Sequence, residues 1–325
     1  MSVRPRAARS SSPAHEFRGH LAGSTKTAAI VITCPAKINL TLEVLGRRED
    51  GFHALRSLMV PLGLADEISL EPAGAFAFSC SDPTLENDDN LVVRAARSLG
   101  PEGALPNVRL SLVKRVPSQA GLGGGSSDAA GVLLAAMDGA LGYRPDRDWM
   151  SAARILGSDV PFFLARTAAL VEGTGERVTA AGAIPAWHVA VVKPPVSVST
   201  AAAFAALDGA GPRPSRARDV SVSVRALAAL QRGDFDAVVA LLHNDFASVM
   251  AARHPEIATA LAALERAGAS RALLSGSGSA VFALARDSAG AEGLLARVDL
   301  DPSYVRFSTR FASTPAWNAQ TAPSL

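Results

Sequence analysis

A glycine-rich stretch carries the clearest chemical signal in the sequence. Residues 116–130 read VPSQAGLGGGSSDAA and hold four glycines and three serines. Residues 107–114 before it alternate polar and apolar types as a half-buried strand does, and residues 129–137 after it are rich in helix formers. A glycine turn that enters a helix gathers unpaired backbone N–H groups at the positive end of the helix dipole. The stretch therefore predicts a phosphate site.

The spacing of the glycines differs from that of both common phosphate loops. No lysine follows them, as a P-loop requires, and Ser126 stands where a dinucleotide-binding fold has its third glycine. Ser126, Ser127 and Asp128 are types that cap a helix start, so we expect them to cap this helix. A plain glycine hinge is the alternative interpretation, but the strand and helix on either side favour phosphate binding.

Two charged residues suit catalysis as well as structure. Asp159 precedes Val160 and Pro161, and the proline is expected to keep Val160 extended and so fix the acid. An aspartate before an apolar run is also a common helix cap or turn residue. Lys37 lies in an apolar strand, where an unpaired ammonium is costly to bury; the alternative is a strand-edge lysine that reaches water.

Composition narrows the class of protein. A chain of 325 residues, 48% hydrophobic and 19% charged, predicts two domains with a sizeable core. A net charge of +2 gives no sign of a nucleic-acid partner. Cys34 and Cys80 make neither a disulfide framework nor a four-ligand zinc site, and they suit a reducing compartment. No secretory signal or membrane-spanning stretch is evident, so we expect a cytoplasmic protein with no membrane partner.

Hydrophobic patterns predict an α+β chain. The predicted strands are two around Pro35 within residues 30–45, and others at 66–71, 107–114, 187–192, 272–274, 281–284 and 304–307. The predicted helices cover residues 90–99, 129–137, 224–242 (with His243, Asn244 and Asp245 also helical), 251–267 and a segment from Ala291. Residues 172–176, EGTGE, predict a turn. We expect a disordered extension over 1–27, domains over 28–180 and 181–313, and a disordered tail over 314–325.

Three separated motifs resemble those of the GHMP kinases, a family named for galactose, homoserine, mevalonate and phosphomevalonate. They are PAKINL at 35–40, the glycine loop, and SGSGS at 275–279. The resemblance runs from about residue 30 to 311 and implies the two-domain GHMP kinase fold. In that fold an N-terminal ribosomal-protein-S5-like domain and a C-terminal ferredoxin-like α/β sandwich domain enclose an active site in the cleft between them. It also implies phosphoryl transfer from ATP, assisted by Mg²⁺.

The resemblance assigns roles to residues. Asp159 matches the catalytic aspartate that accepts the hydroxyl proton, and Lys37 matches the lysine that pairs with it. Asn90 and Lys114 match adenosine contacts, and the residues that would wrap the phosphates are Gly121, Leu122, Gly123, Gly124, Gly125, Ser126 and Ser127. Ser277 and Gly278 either close over the acceptor's phosphates or form only a hairpin. No metal ligand is assigned, and Mg²⁺ is expected to be held by phosphates and water.

Further matches point to the branch of the family that phosphorylates the tertiary 2-hydroxyl of a cytidine diphosphate-linked methylerythritol in the non-mevalonate isoprenoid pathway. They are DGFH at 50–53, DNL at 89–91, GSDVPFF at 157–163 and GSG at 276–278. Asn39 and His53 match hydrogen-bonding residues for this acceptor. Phe52, in place of a tyrosine, and Phe204 match an aromatic pair that sandwiches the cytosine ring, although Phe204 also suits a helix core. Asp128 replaces a commoner asparagine and adds a carboxylate near the phosphates.

Two other functions stay open. The first alternative is another small-molecule GHMP kinase, acting on mevalonate, homoserine or a sugar. The second is a catalytically silent GHMP-fold sensor. The acceptors of such a kinase carry no base that could stack on Phe52 and Phe204, which disfavours the first alternative. A sensor needs neither Lys37 nor Asp159, which disfavours the second. A nucleic-acid module is disfavoured because the glycine loop has no interleaved basic or aromatic residues.

Overall fold

The structure is a computed structural model that describes residues 29–100, 105–139, 148–211, 221–312 and 319–321. Within these ranges, eight strands form a mixed sheet built on the long antiparallel pair β1 and β2. Its strands are β1 Ile30–Arg47, β2 His53–Pro72, β3 Ala77–Cys80, β4 Val108–Val113, β5 Ala169–Gly173, β6 Arg177–Ala180, β8 His243–Asn244 and β12 Ala319–Thr321.

A second sheet has four antiparallel strands in the order β11-β7-β10-β9 within the described part of the chain. They are β7 His188–Lys193, β9 Ala272–Leu274, β10 Val281–Ala285 and β11 Val305–Arg310. The helices are α1 Leu91–Leu99, α2 Gly124–Met137, α3 Trp149–Leu156, α4 Val160–Leu164, α5 Thr200–Gly209, α6 Val222–Gln231, α7 Phe235–Leu241, α8 Ala247–Arg253, α9 Pro255–Arg266 and α10 Ser288–Arg297. None of the helices in the described ranges is long and apolar enough to cross a membrane.

Strand β1 runs unbroken past Pro35, where the sequence predicts two strands. Its pairing with β2 shifts register between Pro35 and Lys37. A shift of this kind takes a residue out of the hydrogen-bond ladder, so a proline without an N–H group is tolerated there. At the same point the Lys37 N–H donates to the carbonyl of Leu122 in the glycine loop, at 2.8 Å. The irregularity thus joins the strand to the predicted phosphate site.

Two of the predicted helices are divided in the structure. Helix α6 ends at Gln231 and α7 begins at Phe235, with Gly233 between them at a φ of +69° that favours glycine. Helix α8 ends at Arg253, and α9 begins at Pro255, whose missing N–H would be unpaired in a first turn anyway. Local hydrophobic spacing continues through both breaks, which is why the sequence pattern merges them.

The prediction that His243, Asn244 and Asp245 lie in a helix is wrong. His243 and Asn244 form β8, which pairs in parallel with β1. The Asn244 amide donates to the carbonyls of Leu274 and Gly276, each at 2.8 Å. This short strand therefore attaches the loop after β9 to the first sheet, a long-range tie that helical periodicity does not reveal.

The other predicted elements agree with the structure in type and approximate position. The predicted strand at 66–71 belongs to the longer β2, and those at 107–114, 187–192, 272–274, 281–284 and 304–307 are β4, β7, β9, β10 and β11. The helix at 90–99 is α1, capped by Asn90, and α10 begins at Ser288 rather than Ala291.

The hydrophobic core of the described residues has three parts. One packs β1, β2 and β4 against α1 and α2, and another packs the second sheet against α5, α9 and α10. The middle part contains residues of both sheets, including Leu58 of β2 and Phe282 of β10. Strand β7 shows the sharing directly, because Val189 and Val191 enter the middle core while the alternate residues Ala190 and Val192 enter the other. The boundary between residues 180 and 181 stays a prediction.

Most of the predicted extension and tail lies outside the described residues. The extension over 1–27 does so entirely, as do 314–318 and 322–325 of the tail. Residues 319–321 of the tail form β12, which pairs antiparallel with Ile30, Val31 and Ile32 of β1. The sequence pattern does not show this strand; the unpaired backbone groups on the outer side of β1 supply its partners.

Two glycines of α2 should respond oppositely to alanine. A Cβ at Gly131 would lie 2.6 Å from Cys34 Sγ, whereas a Cβ at Gly125 would have its nearest neighbour, Leu91 Cδ1, at 3.6 Å. We expect Gly131→Ala to lower the free energy of unfolding by about 1–3 kcal/mol through overpacking. Gly125→Ala should raise it by up to about 1 kcal/mol through helix propensity. Urea unfolding measures both changes, and similar losses for the two variants would contradict the close packing at Gly131.

Candidate active site

A cleft of about 800 Å³ is lined by residues from both halves of the chain. The glycine loop, the middle of β1, the start of β2, the start of α5 and the loop after β9 all contribute to it. All but one of the predicted site residues line this cleft, namely Lys37, Asn39, Phe52, His53, Asn90, Lys114, Gly121, Leu122, Gly123, Gly124, Gly125, Ser126, Asp159, Phe204, Ser277 and Gly278. The exception is Ser127.

The glycine loop presents a helix start without a side-chain cap. Helix α2 begins at Gly124, after Gly123 at a φ of +73°, and no described side chain caps it. Its first helical hydrogen bond runs from the Ser127 N–H to the Gly123 carbonyl, at 2.9 Å. The N–H groups of the first turn therefore point out of the helix without an intrahelical partner and can bind an anion.

The prediction that Ser126, Ser127 and Asp128 cap this helix is wrong, because the helix begins before them. Ser127 and Asp128 lie inside its first two turns and are buried. The Ser127 hydroxyl has no hydrogen-bond partner among the described residues. Glycine at the cap position is the physical reason: Gly123 takes a left-handed conformation that side-chain caps do not favour, so the helix starts earlier.

At two positions of the loop, close packing within the protein requires glycine, whether or not a ligand is bound. A Cβ at Gly121 would lie 2.1 Å from the Ser275 carbonyl, and a Cβ at Gly123 would lie 2.9 Å from Lys37 Cγ. The Ser275 hydroxyl donates to the Gly121 carbonyl at 2.9 Å. The glycine loop thus rests against the loop after β9 on one side and against Lys37 on the other.

Lys37 is a buried ammonium with polar partners. Its Nζ lies 3.3 Å from Asp159 Oδ2 and donates to Asn39 Oδ1 at 2.7 Å. The Asn39 amide donates to Ser57 Oγ at 2.8 Å, and Ser57 donates to the Thr41 carbonyl at 2.6 Å. With 2% of its surface exposed, Lys37 does not reach water from a strand edge. A chain of hydrogen bonds along β1 and β2 orients it instead.

Asp159 stands at the start of α4 with its carboxylate available. It occupies the N-cap position, but its side chain makes no capping hydrogen bond within the described structure. The expectation that Pro161 keeps Val160 extended is wrong, since Val160 is the first residue of α4. Proline suits the first turn of a helix, where its N–H would be unpaired. The start of α4 therefore fixes the acid.

The two residues of the predicted aromatic pair lie in different surroundings. The Phe204 ring stacks on His53, with centroids 4.6 Å apart, while Phe52 is 65% exposed. His53 Nε2 lies 2.8 Å from Asp208 Oδ1 of α5. Sequence reasoning missed Asp208, because an aspartate at the end of a helix carries no local sign that it contacts a residue on β2.

The two predicted adenosine contacts use their polar atoms within the protein. Asn90 caps α1, accepting from the Val92 N–H at 2.9 Å and donating to the Leu85 carbonyl at 2.8 Å. Lys114 Nζ lies between two buried carboxylates, 2.5 Å from Asp66 Oδ2 and 2.8 Å from Asp128 Oδ2. Burial opposes the charge on Lys114, but the two carboxylates outweigh it and raise its pKa. Contacts of either residue with adenosine stay a prediction.

Family models match both halves of the chain. The model of the GHMP kinase N-terminal domain matches residues 90–166, and that of the GHMP kinase C-terminal domain matches residues 226–300. The 4-diphosphocytidyl-2-C-methyl-D-erythritol kinase of Deinococcus radiodurans is 43% identical over 270 residues, which cover 81% of this chain and 86% of that protein. The chain belongs to the GHMP kinase family. The kinase of the same name from Moorella thermoacetica is 39% identical over 275 residues, covering 82% of this chain and 95% of that protein.

Solved structures agree with this GHMP kinase assignment. A 4-(cytidine 5'-diphospho)-2C-methyl-D-erythritol kinase superimposes with a TM-score of 0.67 and 34% identity, covering 87% of this chain and 100% of that chain. A homoserine kinase from Cytophaga hutchinsonii has a TM-score of 0.63 at 17% identity, covering 93% and 100%, and supports the fold alone. The predicted family, fold class and kinase activity are thereby confirmed.

Alanine at Gly123 should weaken nucleotide binding. Its Cβ would meet Lys37 Cγ at 2.9 Å and Phe163 Cζ at 3.0 Å, so the loop must move. We expect the Kd for ADP to rise about tenfold or more, measured by calorimetry, because the first-turn N–H groups lose their alignment. Gly182→Ala is the control: its φ is +78°, and its Cβ would meet nothing within 4 Å. It should cost about 1–2 kcal/mol of unfolding free energy without changing the Kd, and equal Kd values in the two variants would argue against this role of Gly123.

Proposed function

We propose that the protein transfers the γ-phosphoryl group of ATP to the 2-hydroxyl of 4-diphosphocytidyl-2-C-methyl-D-erythritol, a step of the non-mevalonate (methylerythritol phosphate) pathway of isoprenoid precursor biosynthesis. The observation that carries the proposal is the ion pair of Lys37 and Asp159, at 3.3 Å, on the wall of a cleft that the uncapped start of α2 also lines. A pure binding protein has no need of this pair. The relatives of that name support the choice of acceptor.

In this reaction Asp159 accepts the proton of the acceptor hydroxyl. A carboxylate is a weak base towards an alcohol, so the proton moves late, as the bond to the phosphoryl group forms in a loose transition state. The Asp159 side chain is 36% exposed, so a substrate in the cleft can reach it. The main contribution of the site is then to hold the hydroxyl in line with the phosphoryl group.

Lys37 stabilises the negative charge that this transfer develops. Its hydrogen bond to Asn39 and its pairing with Asp159 hold the ammonium in place before substrates arrive. A Cβ at Gly276 would lie 3.1 Å from Lys37 Nζ, so the loop after β9 also closes on it. A charge fixed in this way need not reorganise during the reaction, which is the usual source of electrostatic catalysis.

The nucleotide's phosphates lie at the first turn of α2 in this proposal. Mg²⁺, when bound, neutralises part of their charge. Within the described ranges, no group of three or more His, Cys, Asp or Glu side chains is placed to hold a metal ion. The carboxylates that line the cleft are those of Asp89, Asp128 and Asp159. The donor set therefore fits an ion held by phosphate oxygens and water.

The acceptor's base is proposed to bind near Phe204. The His53 imidazole stacks on one face of this ring, so a cytosine that stacks on the same face must displace the imidazole at least in part. Phe52 is exposed and is free to close over the base. Asn39 and the Ser277–Gly278 turn line the path from there to Asp159, and Ser277 Oγ lies 3.3 Å from Thr200 Oγ1 at the start of α5.

The free cysteines Cys34 and Cys80 support a location in the reducing cytoplasm.

Acceptor choice tests the proposal. ADP release is measured with ATP and Mg²⁺ and, in parallel, 4-diphosphocytidyl-2-C-methylerythritol, mevalonate, homoserine and galactose. We expect turnover with the cytidine acceptor alone, and a kcat about 10²–10⁴-fold lower in Asp159→Asn because the proton acceptor is lost. Asp148→Asn, at an exposed helix cap outside the cleft, is the matched control and should keep the wild-type kcat. Turnover of another acceptor indicates a different GHMP kinase, and nucleotide binding without any turnover indicates a sensor.

The turn after β5 is expected to hold Asp159 in position. A Cβ at Gly175 would lie 2.1 Å from the carbonyl of Ser158, the residue before Asp159. Gly175→Ala should therefore displace the acid and lower kcat about 100-fold, with the KM for ATP changed less than about threefold. Gly182→Ala again provides a positive-φ glycine without a nearby group, and its kcat should stay close to that of the wild type. The idea is abandoned when both variants keep the wild-type kcat.

A further inference from the structure

A buried charge cluster lies directly behind the glycine loop. Lys114, after β4, pairs with Asp66 of β2 and with Asp128 of α2. The side chains of Asp66 and Asp128 are 0% and 2% exposed. With both acids ionised, one ammonium faces two carboxylates, and the cluster carries a net charge of −1.

The two acids are not equivalent. Asp66 Oδ1 accepts the backbone N–H groups of Arg115 and Val116, at 2.5 and 2.8 Å, so both of its oxygens have donors. Asp128 Oδ2 has Lys114, but Asp128 Oδ1 is buried and accepts no hydrogen bond from any described residue. A buried ionised oxygen without a donor is costly. Of the two acids, Asp128 is therefore the one whose ionised form is less well stabilised by hydrogen bonds.

The remaining groups near the cluster do not compensate its charge. They are the thiols of Cys34 on β1 and Cys80 on β3 and, beyond Cys80, the half-buried Asp82. Burial raises the pKa of both thiols, which stay neutral. Asp82 adds a further negative charge at a distance.

This cluster lies against the phosphate site. A Cβ on Gly124, the first residue of α2, would lie 3.2 Å from Lys114 Nζ and 3.2 Å from Asp66 Oδ2. A polyphosphate at the first turn thus faces a net negative charge that is shielded from solvent and poorly screened by salt. Protonation of Asp128 leaves Lys114 and Asp66 as a neutral pair and removes this repulsion.

We propose that Asp128 is a further determinant of nucleotide binding and that its carboxylate takes up a proton when phosphates occupy the glycine loop. The inference rests on the phosphate site of the proposed function. Burial, partly offset by the charge of Lys114, raises the pKa of Asp128 to about 7 before the nucleotide binds. A bound phosphate raises it further, so by linkage the nucleotide binds more weakly as the pH rises through this range.

Calorimetry with Mg²⁺-saturated ADP tests the coupling without any acceptor. Titrations at about pH 7.5 in two buffers of different ionisation enthalpy give the number of protons taken up. We expect about half a proton more for the wild type than for Asp128→Asn, which mimics the protonated state. Asp138→Asn removes a carboxylate at the other, exposed end of α2, where it pairs with Arg166, and should match the wild type.

Affinity gives an independent readout. Between about pH 6 and pH 8.5 the Kd for the same ligand should rise about tenfold more in the wild type than in Asp128→Asn. Equal proton uptake and equal pH dependence in the two proteins overturn the proposal. If Asp128→Asn does not fold, a Kd of the wild type that fails to rise with pH overturns it equally. No binding of ADP to any of the proteins would instead refute the phosphate site itself.

Discussion

The burial of one ammonium group organises the site. Lys37 cannot stay charged in an apolar strand without polar partners, and it obtains them from Asn39 on its own strand and from Asp159 at the start of α4. The left-handed Gly123 packs against the methylene groups of the lysine side chain. Each partner must arrive from a different element. Strand β1, the start of α4 and the left-handed glycine therefore have to meet around that one side chain.

Close backbone contacts join the two halves of the chain beside the site. Gly121 lies against the backbone of Ser275, and the Ala280 N–H donates to the Ala120 carbonyl at 3.0 Å. Backbone contacts of this kind leave no room for relative displacement without loss of hydrogen bonds. The glycine loop is therefore positioned by the second half of the chain, although its residues belong to the first.

Sequence patterns predict the elements and site positions that depend on local spacing or on a short motif. The alternation of residues 107–114 predicts β4, the apolar spacing after Asn90 predicts α1, and the motif residues around Lys37 and the glycine loop predict where the cleft lies. They fail where a distant partner decides the outcome. His243 and Asn244 sit among helix-like neighbours, yet a strand of the first sheet pairs with them. They also fail where the backbone conformation of a single residue decides it: the cap predicted at Ser126 is wrong because the left-handed Gly123 starts the helix earlier.

The same limit applies to the chemistry of single residues. Lys114 ends the predicted strand at 107–114, and only the approach of Asp66 from 48 positions away and of Asp128 from the next helix makes it the centre of a buried cluster. A carboxylate that looks repulsive beside phosphates in the sequence is tolerated for a physical reason. Its charge is shared with a lysine and can be cancelled by a proton, so the helix that presents N–H groups to the nucleotide can also carry an acid in its second turn.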